Sequence, residues 1–298
     1  MQNSVLQIDK IDKHYGTLQA LRQVSFNVPK GSVFGILGPN GSGKTTLLGI
    51  IMDVLKASSG SYQWFGEPPT SNQRKRMGSL LETPNFYHYL SAIDNLKISA
   101  AIKGVEDSHI HSVLEKVNLG ERKYSKFKTF SLGMKQRLAI AACLLGNPEV
   151  LVFDEPTNGL DPVGIAEIRN LIQQLASDGK TIIMASHLLD EVEKVCTHVA
   201  ILQKGKLLAN GHVQDILSND DIVELSCNNI ELLQKVALQI TGHTKLEQKE
   251  NTILLFFPSG SANLESINQT CFQHHITLTH LVLKKRSLES KFFELTNA

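Results

Sequence analysis

Short apolar runs separated by turns dominate the chain up to about Leu81. Leu6–Ile11, Val24–Val28, Val33–Leu37 and Ser61–Phe65 read as strands, the third as a buried one because it lacks polar alternation. Between Thr83 and Asn147 the period changes. Ala92–Ile102, Asp107–Val117 and Leu132–Leu145 space their apolar residues three to four apart, which predicts helices in a stretch without strand signals. Val150–Phe153 returns to a buried-strand run. A helix (Val163–Ala176), a strand (Thr181–Ala185), a helix (Leu189–Val195) and a strand (Val199–Leu202) follow. Strands separated by helices predict a parallel sheet covered on both faces, interrupted here by a helical insert of about residues 83–148.

A second block begins after about Leu217, dividing the chain into domains 1–217 and 218–298. Ile222–Ser226 reads as strand, Ile230–Leu238 as helix, and Thr244–Gln248 and Thr252–Phe257 as strands. Ala262–Gln273 reads as helix, Thr277–Leu283 as strand and Leu288–Leu295 as a closing helix. The order βαββαβ predicts a small α+β domain of ferredoxin-like type, with a plain hairpin around Asn251 as the alternative. No catalytic constellation is visible in it.

Composition narrows this picture only a little. With 298 residues the chain holds one large and one small domain with ample core, and its net charge of +1 gives no general reason to expect a nucleic-acid partner. The four cysteines, Cys143, Cys196, Cys227 and Cys271, are widely spaced, which predicts free thiols rather than disulfides or a metal site. No secretion signal begins the chain and no apolar run spans a bilayer, since Leu138–Leu145 is halted by Gly146-Asn147-Pro148-Glu149. A cytosolic protein, or one held on a membrane through a partner, is expected.

The candidate chemistry starts at Gly38-Pro39-Asn40-Gly41-Ser42-Gly43-Lys44-Thr45, which fits the phosphate-loop pattern G-x-x-x-x-G-K-[ST]. A glycine-rich turn lets consecutive backbone N–H groups wrap a polyphosphate, and a helix from Thr46 to Val54 aims its positive end at that charge. Lys44 is placed to reach the β- and γ-phosphates and Thr45 to ligate Mg²⁺. The strand before the loop and the helix after it supply the context that such a loop needs. Downstream, Val150–Phe153 ends in Asp154-Glu155, two carboxylates where ligands bind in parallel sheets. Asp154 would hold Mg²⁺ through its water shell and Glu155 would polarise the attacking water.

Further motifs follow in a fixed order: Ser131-Leu132-Gly133-Met134-Lys135-Gln136-Arg137, Glu155-Pro156-Thr157-Asn158-Gly159-Leu160-Asp161-Pro162 and Ser186-His187, with Lys13-His14-Tyr15-Gly16 near the start. Together they resemble the ATP-binding subunit of an ABC transporter over about Leu6–Leu217. The resemblance implies an α/β P-loop core with a helical insert, ATP and Mg²⁺ as cofactors, and adenine stacked on Tyr15. Ser131–Gly133 stands in the place of the ABC signature, Leu160-Asp161 in that of the D-loop, and His187 in that of the switch histidine, which contacts the γ-phosphate and orients Glu155 and water.

Two positions depart from the pattern. In L-S-G-G-Q the residue after serine is glycine, here Leu132, and Met134 replaces glutamine, yet Ser131 remains a good N-cap and Gly133 keeps the helix start open to a γ-phosphate. Glu82 stands where the family carries a Mg²⁺-touching glutamine. A carboxylate can also ligate the metal, and its charge should make tight binding depend more on Mg²⁺. Both departures resemble the ATPases of bacitracin- and lantibiotic-type export and self-protection systems, whose permeases are separate polypeptides.

The resemblance implies that two copies stack head to tail, each ATP lying between one phosphate loop and the other copy's Ser131–Gly133. Movement would pass to an integral membrane permease through the insert near Glu82–Tyr89, placing the chain on the cytoplasmic face of the membrane. The alternative is a soluble ABC ATPase acting on nucleic acid or ribosomes, but this chain has one cassette and no long coiled-coil insertion. Arg122–Arg137 carries six basic residues, Arg122, Lys123, Lys126, Lys128, Lys135 and Arg137, and reads as a solvated face before a nucleic-acid patch. His109, His111, His274 and His275 read as surface residues, and the tail as a regulatory or dimerisation module.

Overall fold

The computed structural model describes residues 4–81, 84–217, 220–258, 260–285 and 288–297. The chain divides into two compact units, Met1–Val213 and Gln214–Ala298. The first opens with β1 (Ser4–Tyr15), β2 (Leu18–Pro29), β3 (Val33–Leu37), α1 (Lys44–Ile51), β4 (Ser59–Trp64), α2 (Ser71–Arg74) and β5 (Met77–Leu80). The helical insert comprises α3 (Ala92–Lys103), α4 (Ile110–Lys116) and α5 (Leu132–Leu144). The chain then returns through β6 (Val150–Asp154), α6 (Pro162–Ser177), β7 (Thr181–Ser186), α7 (Leu189–Val195), β8 (His198–Gln203), β9 (Lys206–His212) and the short helix α8 (Val213–Ile216).

The central sheet has the order β5-β6-β7-β3-β8-β9. Its strands run parallel from β5 to β8, and β9 closes the edge antiparallel to β8. β3, β6 and β7 are buried at every residue, as strands covered on both faces must be. A separate antiparallel sheet, β2-β1-β4, shares a core with it through α1. Leu47, Leu48 and Ile50 of α1 lie in one cluster with Leu6, Val24 and Phe26 on one side and with Phe34, Val152 and Ala185 on the other. All three α1 residues are fully buried, each contributing about 1.5–3 kcal/mol of apolar transfer energy.

The insert is stapled by one half-buried cation. Lys103 Nζ donates to the carbonyls of Ala142 (2.7 Å), Cys143 (3.2 Å) and Leu145 (3.4 Å), which α5 leaves without helical partners at its C-terminus. Burial lowers the pKa of Lys103 from its ordinary value, and these carbonyls accept hydrogen bonds that its ammonium would otherwise give to water.

The second unit contains β10 (Asp220–Ser226), α9 (Ile230–Ala237), β11 (Lys245–Lys249), β12 (Thr252–Pro258), α10 (Leu264–Gln273), β13 (His280–Lys285) and α11 (Leu288–Asn297). Its sheet has the order β11-β12-β10-β13, antiparallel throughout, which is the ferredoxin-like arrangement expected from βαββαβ. The strands beside Asn251 do form a hairpin, inside that sheet. Val223, Leu225, Ile253, Leu255 and Phe257 alternate inward against Leu233 and Val236 of α9 and Ile267 and Cys271 of α10.

The structure corrects several expected boundaries. β1 and β2 extend well past Leu6–Ile11 and Val24–Val28, because antiparallel pairing carries them through polar residues such as Lys13, opposite Leu21, and His14, opposite Gln19. α1 ends at Ile51 rather than Val54, stopped by Asp53 with φ +60°. Asp107–His109 forms a 3₁₀ turn before α4. β5 and β9, which the sequence pattern missed, form the two edges of the central sheet.

Candidate active site

β6, β7 and β3 are consecutive neighbours in the sheet, so their C-terminal ends lie within about 10 Å of one another. The phosphate loop leaves β3, Glu155 follows β6, and His187 follows β7. Topology alone thus brings the phosphate loop to two segments that lie more than a hundred residues further along the chain.

The loop depends on two glycines. Gly43, the N-cap of α1, has φ +106°, and a Cβ there would stand 2.8 Å from the Ala20 carbonyl oxygen and 2.8 Å from Leu21 Cδ2. A Cβ on Gly38 would collide with the Leu202 carbonyl and Ser42 Oγ. With glycine as its N-cap, α1 has no side-chain cap, so its positive end stays open to an anion. Ser42 Oγ is buried without a hydrogen-bond partner.

Lys44 is 5% exposed and reaches back over the loop, donating to the Gly38 carbonyl at 2.8 Å and the Pro39 carbonyl at 3.4 Å. Its Nζ also lies 3.3 Å from Glu155 Oε1, and His187 Nδ1 donates to Glu155 Oε2 at 2.8 Å. The Glu155 carboxylate therefore bridges the phosphate-loop lysine and the switch-position histidine. Glu155 holds φ +49°, a strained value for a side-chain-bearing residue, and its N–H extends the β6–β7 ladder to the Ala185 carbonyl at 3.1 Å. Asp154, the last residue of β6, is 5% exposed.

A cleft of about 520 Å³ opens over this constellation, a volume within the range of small-molecule sites. It is lined by Tyr15, Asn40, Gly41, Gly43, Lys44, Thr45, Thr46 and Glu155 among the residues expected from sequence. Tyr15 is 46% exposed, with Lys13 Nζ 5.0 Å from its ring centroid. The sequence reading missed Gln19, Arg22 and Lys204 on the same walls. The turn Gln203-Lys204-Gly205-Lys206 was the available signal for Lys204, a hairpin link whose Gly205 N–H donates to the Ser42 carbonyl at 3.0 Å.

The donor set fits the expected ligands. An uncapped helix start, a buried lysine and an orphaned hydroxyl suit a polyphosphate. Thr45, exposed at the start of α1, and Asp154, at the end of β6 and outside the cleft walls, are oxygen ligands of the kind that suits Mg²⁺, which keeps much of its water and shares substrate phosphate oxygens. Glu82, the third expected metal ligand, lies outside the described residues.

Ser131 and Gly133 stand apart from the cleft. Ser131 caps α5, its Oγ accepting the Met134 N–H at 3.3 Å, and it is exposed. Leu132 is 48% exposed, and its Cδ2 would stand 3.3 Å from a Cβ on Gly159 in the D-loop segment. Asp161 is occupied within its own chain, accepting the Gly164 N–H at 2.8 Å as the N-cap of α6. The thiols play no part here: burial pushes Cys143 up to about 12 and raises Cys196 and Cys271.

This cleft is that of a P-loop nucleotide-binding protein, with a carboxylate beside the loop lysine. The ABC transporter family model matches residues 21–158. The chain is 37% identical to the ABC transporter ATP-binding protein YdbJ of Bacillus subtilis, covering 100% of this chain and 97% of that one. It is 42% identical to the lantibiotic transport ATP-binding protein SrtF of Streptococcus pyogenes over 68% of this chain and 89% of that one. It is 32% identical to the bacitracin transport ATP-binding protein BcrA of Enterococcus faecalis over 98% and 96%. Among solved structures, CbiO1 of Clostridium perfringens, part of the transporter complex CbiONQ, superposes with a TM-score of 0.67 at 28% identity, covering 80% of this chain and 96% of that one. The chain belongs to the ABC transporter ATP-binding family. It is an ATP-binding, ATP-hydrolysing subunit of an ABC transporter complex, with Mg²⁺ as the partner ion of its nucleotide.

Proposed function

We propose that this subunit powers export of an antibiotic, peptide or lipid through a permease carried on a separate chain. Names of two relatives, lantibiotic and bacitracin transport proteins, support that substrate class. The observation that carries the catalytic part is the continuous contact Lys44–Glu155–His187 at the mouth of the phosphate loop.

Lys44 neutralises Glu155 in the structure. When ATP enters, the ammonium exchanges that contact for β- and γ-phosphate oxygens, and Glu155 is left with a free carboxylate oxygen beside the γ-phosphate. His187 holds the other oxygen, fixing the carboxylate so that it accepts a proton from the attacking water. Thr45 and Asp154, with Glu82, would hold Mg²⁺, which when bound neutralises charge on the β- and γ-phosphates. Tyr15, exposed at the end of β1, offers its ring to adenine.

Ser131–Gly133 presents an open helix start that its own cleft does not use, so a second copy stacked head to tail would complete the site. The permease would dock on the insert, where Asn85, Phe86, Ser99 and Ile102 line two adjoining hollows of about 350 and 250 Å³ and Ile102 is 82% exposed. Among the described residues no helix is long and apolar enough to cross a membrane, and the proposed location is the cytoplasmic face, through that permease. The unit from Gln214 onward then acts on dimer lifetime or coupling.

Affinity purification of the full chain from detergent-solubilised membranes tests this reading. An integral membrane protein should co-purify, and the pair should hydrolyse ATP. A chain recovered free of membrane proteins, whose ATPase is stimulated by DNA or ribosomes, contradicts it.

A further inference from the structure

His187 follows the last residue of β7 and precedes α7 by one residue, so its aim at Glu155 depends on what holds that helix. α7 has seven residues, too few to be stable alone, and its N-cap, Leu188, gives no side-chain cap. The Leu188 N–H donates to Ser186 Oγ at 3.0 Å, inside the same turn. On its inner side α7 rests on β3. A Cβ on Gly35 would come 2.8 Å from Val192 Cγ1 and 3.1 Å from Cys196 Sγ. That contact sets how closely the helix lies on the sheet; its tilt depends on what else holds it.

α6 supplies the hold. One guanidinium nitrogen of Arg169, Nη1, donates to both carboxylate oxygens of Glu191 at 3.1 Å each. Gln173 Nε2 donates to the Lys194 carbonyl at 3.3 Å. Arg169 and Gln173 are four apart and share a face of α6, so α7 is strapped near both of its ends. Glu191 lies in the first turn of α7, four residues past His187. The Arg169 and Glu191 side chains are 25% and 14% exposed, partly withdrawn from solvent.

The charge of Arg169 is replaceable and its place is not. Lys194 Nζ lies 3.6 Å from the same Glu191 carboxylate, so removing Arg169 leaves that carboxylate with a cation. Lys194 belongs to α7 itself, however, and cannot tie the helix to α6. Loss of Arg169 therefore frees the first turn of α7 to shift while costing the fold little. His187 Nδ1 stands at 2.8 Å from Glu155 Oε2, a contact that a displacement of about 1 Å breaks. We propose that Arg169 is a positioning residue for hydrolysis: through Glu191 it sets the tilt of α7 and so keeps His187 within hydrogen-bond reach of Glu155. The proposal rests on the reading of Glu155 as base and His187 as its orienting partner.

A double-mutant cycle on the full chain tests it, with hydrolysis measured at saturating ATP and binding by titration calorimetry. Arg169→Gln should slow hydrolysis about 10- to 100-fold, the scale of a small misplacement near the reacting atoms. ATP affinity should stay within about twofold, and the melting temperature should shift by no more than about 4 °C. His187→Ala should slow hydrolysis too, and Arg169→Gln added to it should cost less than about twofold more. Glu191→Gln, which loosens the clamp from its other side, should repeat both results. If His187→Ala slows hydrolysis but Arg169→Gln does not, or if the two losses multiply in the double variant, the positioning role falls and the catalytic reading stands. If His187→Ala leaves the rate unchanged, the catalytic reading falls and takes the positioning role with it. Loss of ATP binding in step with hydrolysis, or failure of both clamp variants to fold, marks the pair as purely structural and overturns the proposal.

Discussion

The phosphate-loop end and the signature end of the first unit are built on opposite principles. At the loop end, Lys44 is buried, Ser42 Oγ lacks a partner, Gly43 and Glu155 hold left-handed φ values, and one carboxylate ties two other side chains together. At the signature end, Ser131 is exposed, its hydroxyl is satisfied as a cap, and Gly133 has nothing closer to an added Cβ than Gly164 Cα at 4.0 Å. One end is strained and preorganised around an anion; the other is relaxed and open. Strain persists where surrounding structure over-determines it, and it concentrates at functional sites. The difference teaches that the loop end is a nearly finished site, whereas the signature end is a surface that gains meaning only from something brought to it.

Blocking the open surface sharpens this contrast most. Ser131→Arg places a bulky cation at the start of α5 and should lower ATP hydrolysis by at least about 100-fold, the scale of losing a transition-state donor. Equilibrium binding of ATP to the isolated subunit should stay within about twofold, measured by titration calorimetry. Loss of binding in proportion to hydrolysis would erase the distinction between the two ends. Gly43→Ala probes the strained end: φ +106° and the 2.8 Å approach to the Ala20 carbonyl should cost about 1–3 kcal/mol of stability in thermal melts and weaken ATP binding as well. Unchanged melting and affinity would show that the loop is not preorganised.

The smallest effect lies in the second unit, at a charged cluster on its sheet. Glu224 accepts from Lys284 at 2.9 Å with His280 at 3.4 Å, and the Lys284 hydrogen bond, then the Lys284 charge and the His280 contact, hold its carboxyl below the usual range. A depressed folded-state pKa stabilises above the unfolded value and loses that contribution as pH falls through the folded one. Glu224→Gln should therefore flatten the acid limb of the melting profile below about pH 4.5 and leave melting near pH 7 lowered by little, since surface pairs contribute about 0–1 kcal/mol.

The site was legible because its chemistry is local. The phosphate loop, Asp154-Glu155 and Ser186-His187 each lie at the C-terminal end of a short buried strand, and a parallel sheet brings such strand ends together whatever the intervening chain does. The cleft walls were less legible. Gln19, Arg22 and Lys204 enter it through the β1–β2 and β8–β9 hairpins, and β9, with Asn210 and Gly211, has little strand propensity of its own. Its pairing with β8 makes it a strand. β5 was hidden for a related reason: Gly78 breaks its apolar pattern because a Cβ there would strike the Cys143 carbonyl of α5. The roles of Ser131 and Gly133 were read from family pattern, and their own surroundings in one copy hold no ligand chemistry to replace it.

The central claim is that Glu155 acts as base in a site closed by a second copy's Ser131–Gly133. Light scattering on Glu155→Gln with ATP and Mg²⁺, coupled to size-exclusion, tests it most directly. The account predicts a dimer of 32.9 kDa chains, hydrolysis lowered by about 10²–10⁴-fold, and a return to monomer when Ser131→Arg is added. A Glu155→Gln chain that stays monomeric with ATP and hydrolyses it at the normal rate would contradict both the base and the shared site.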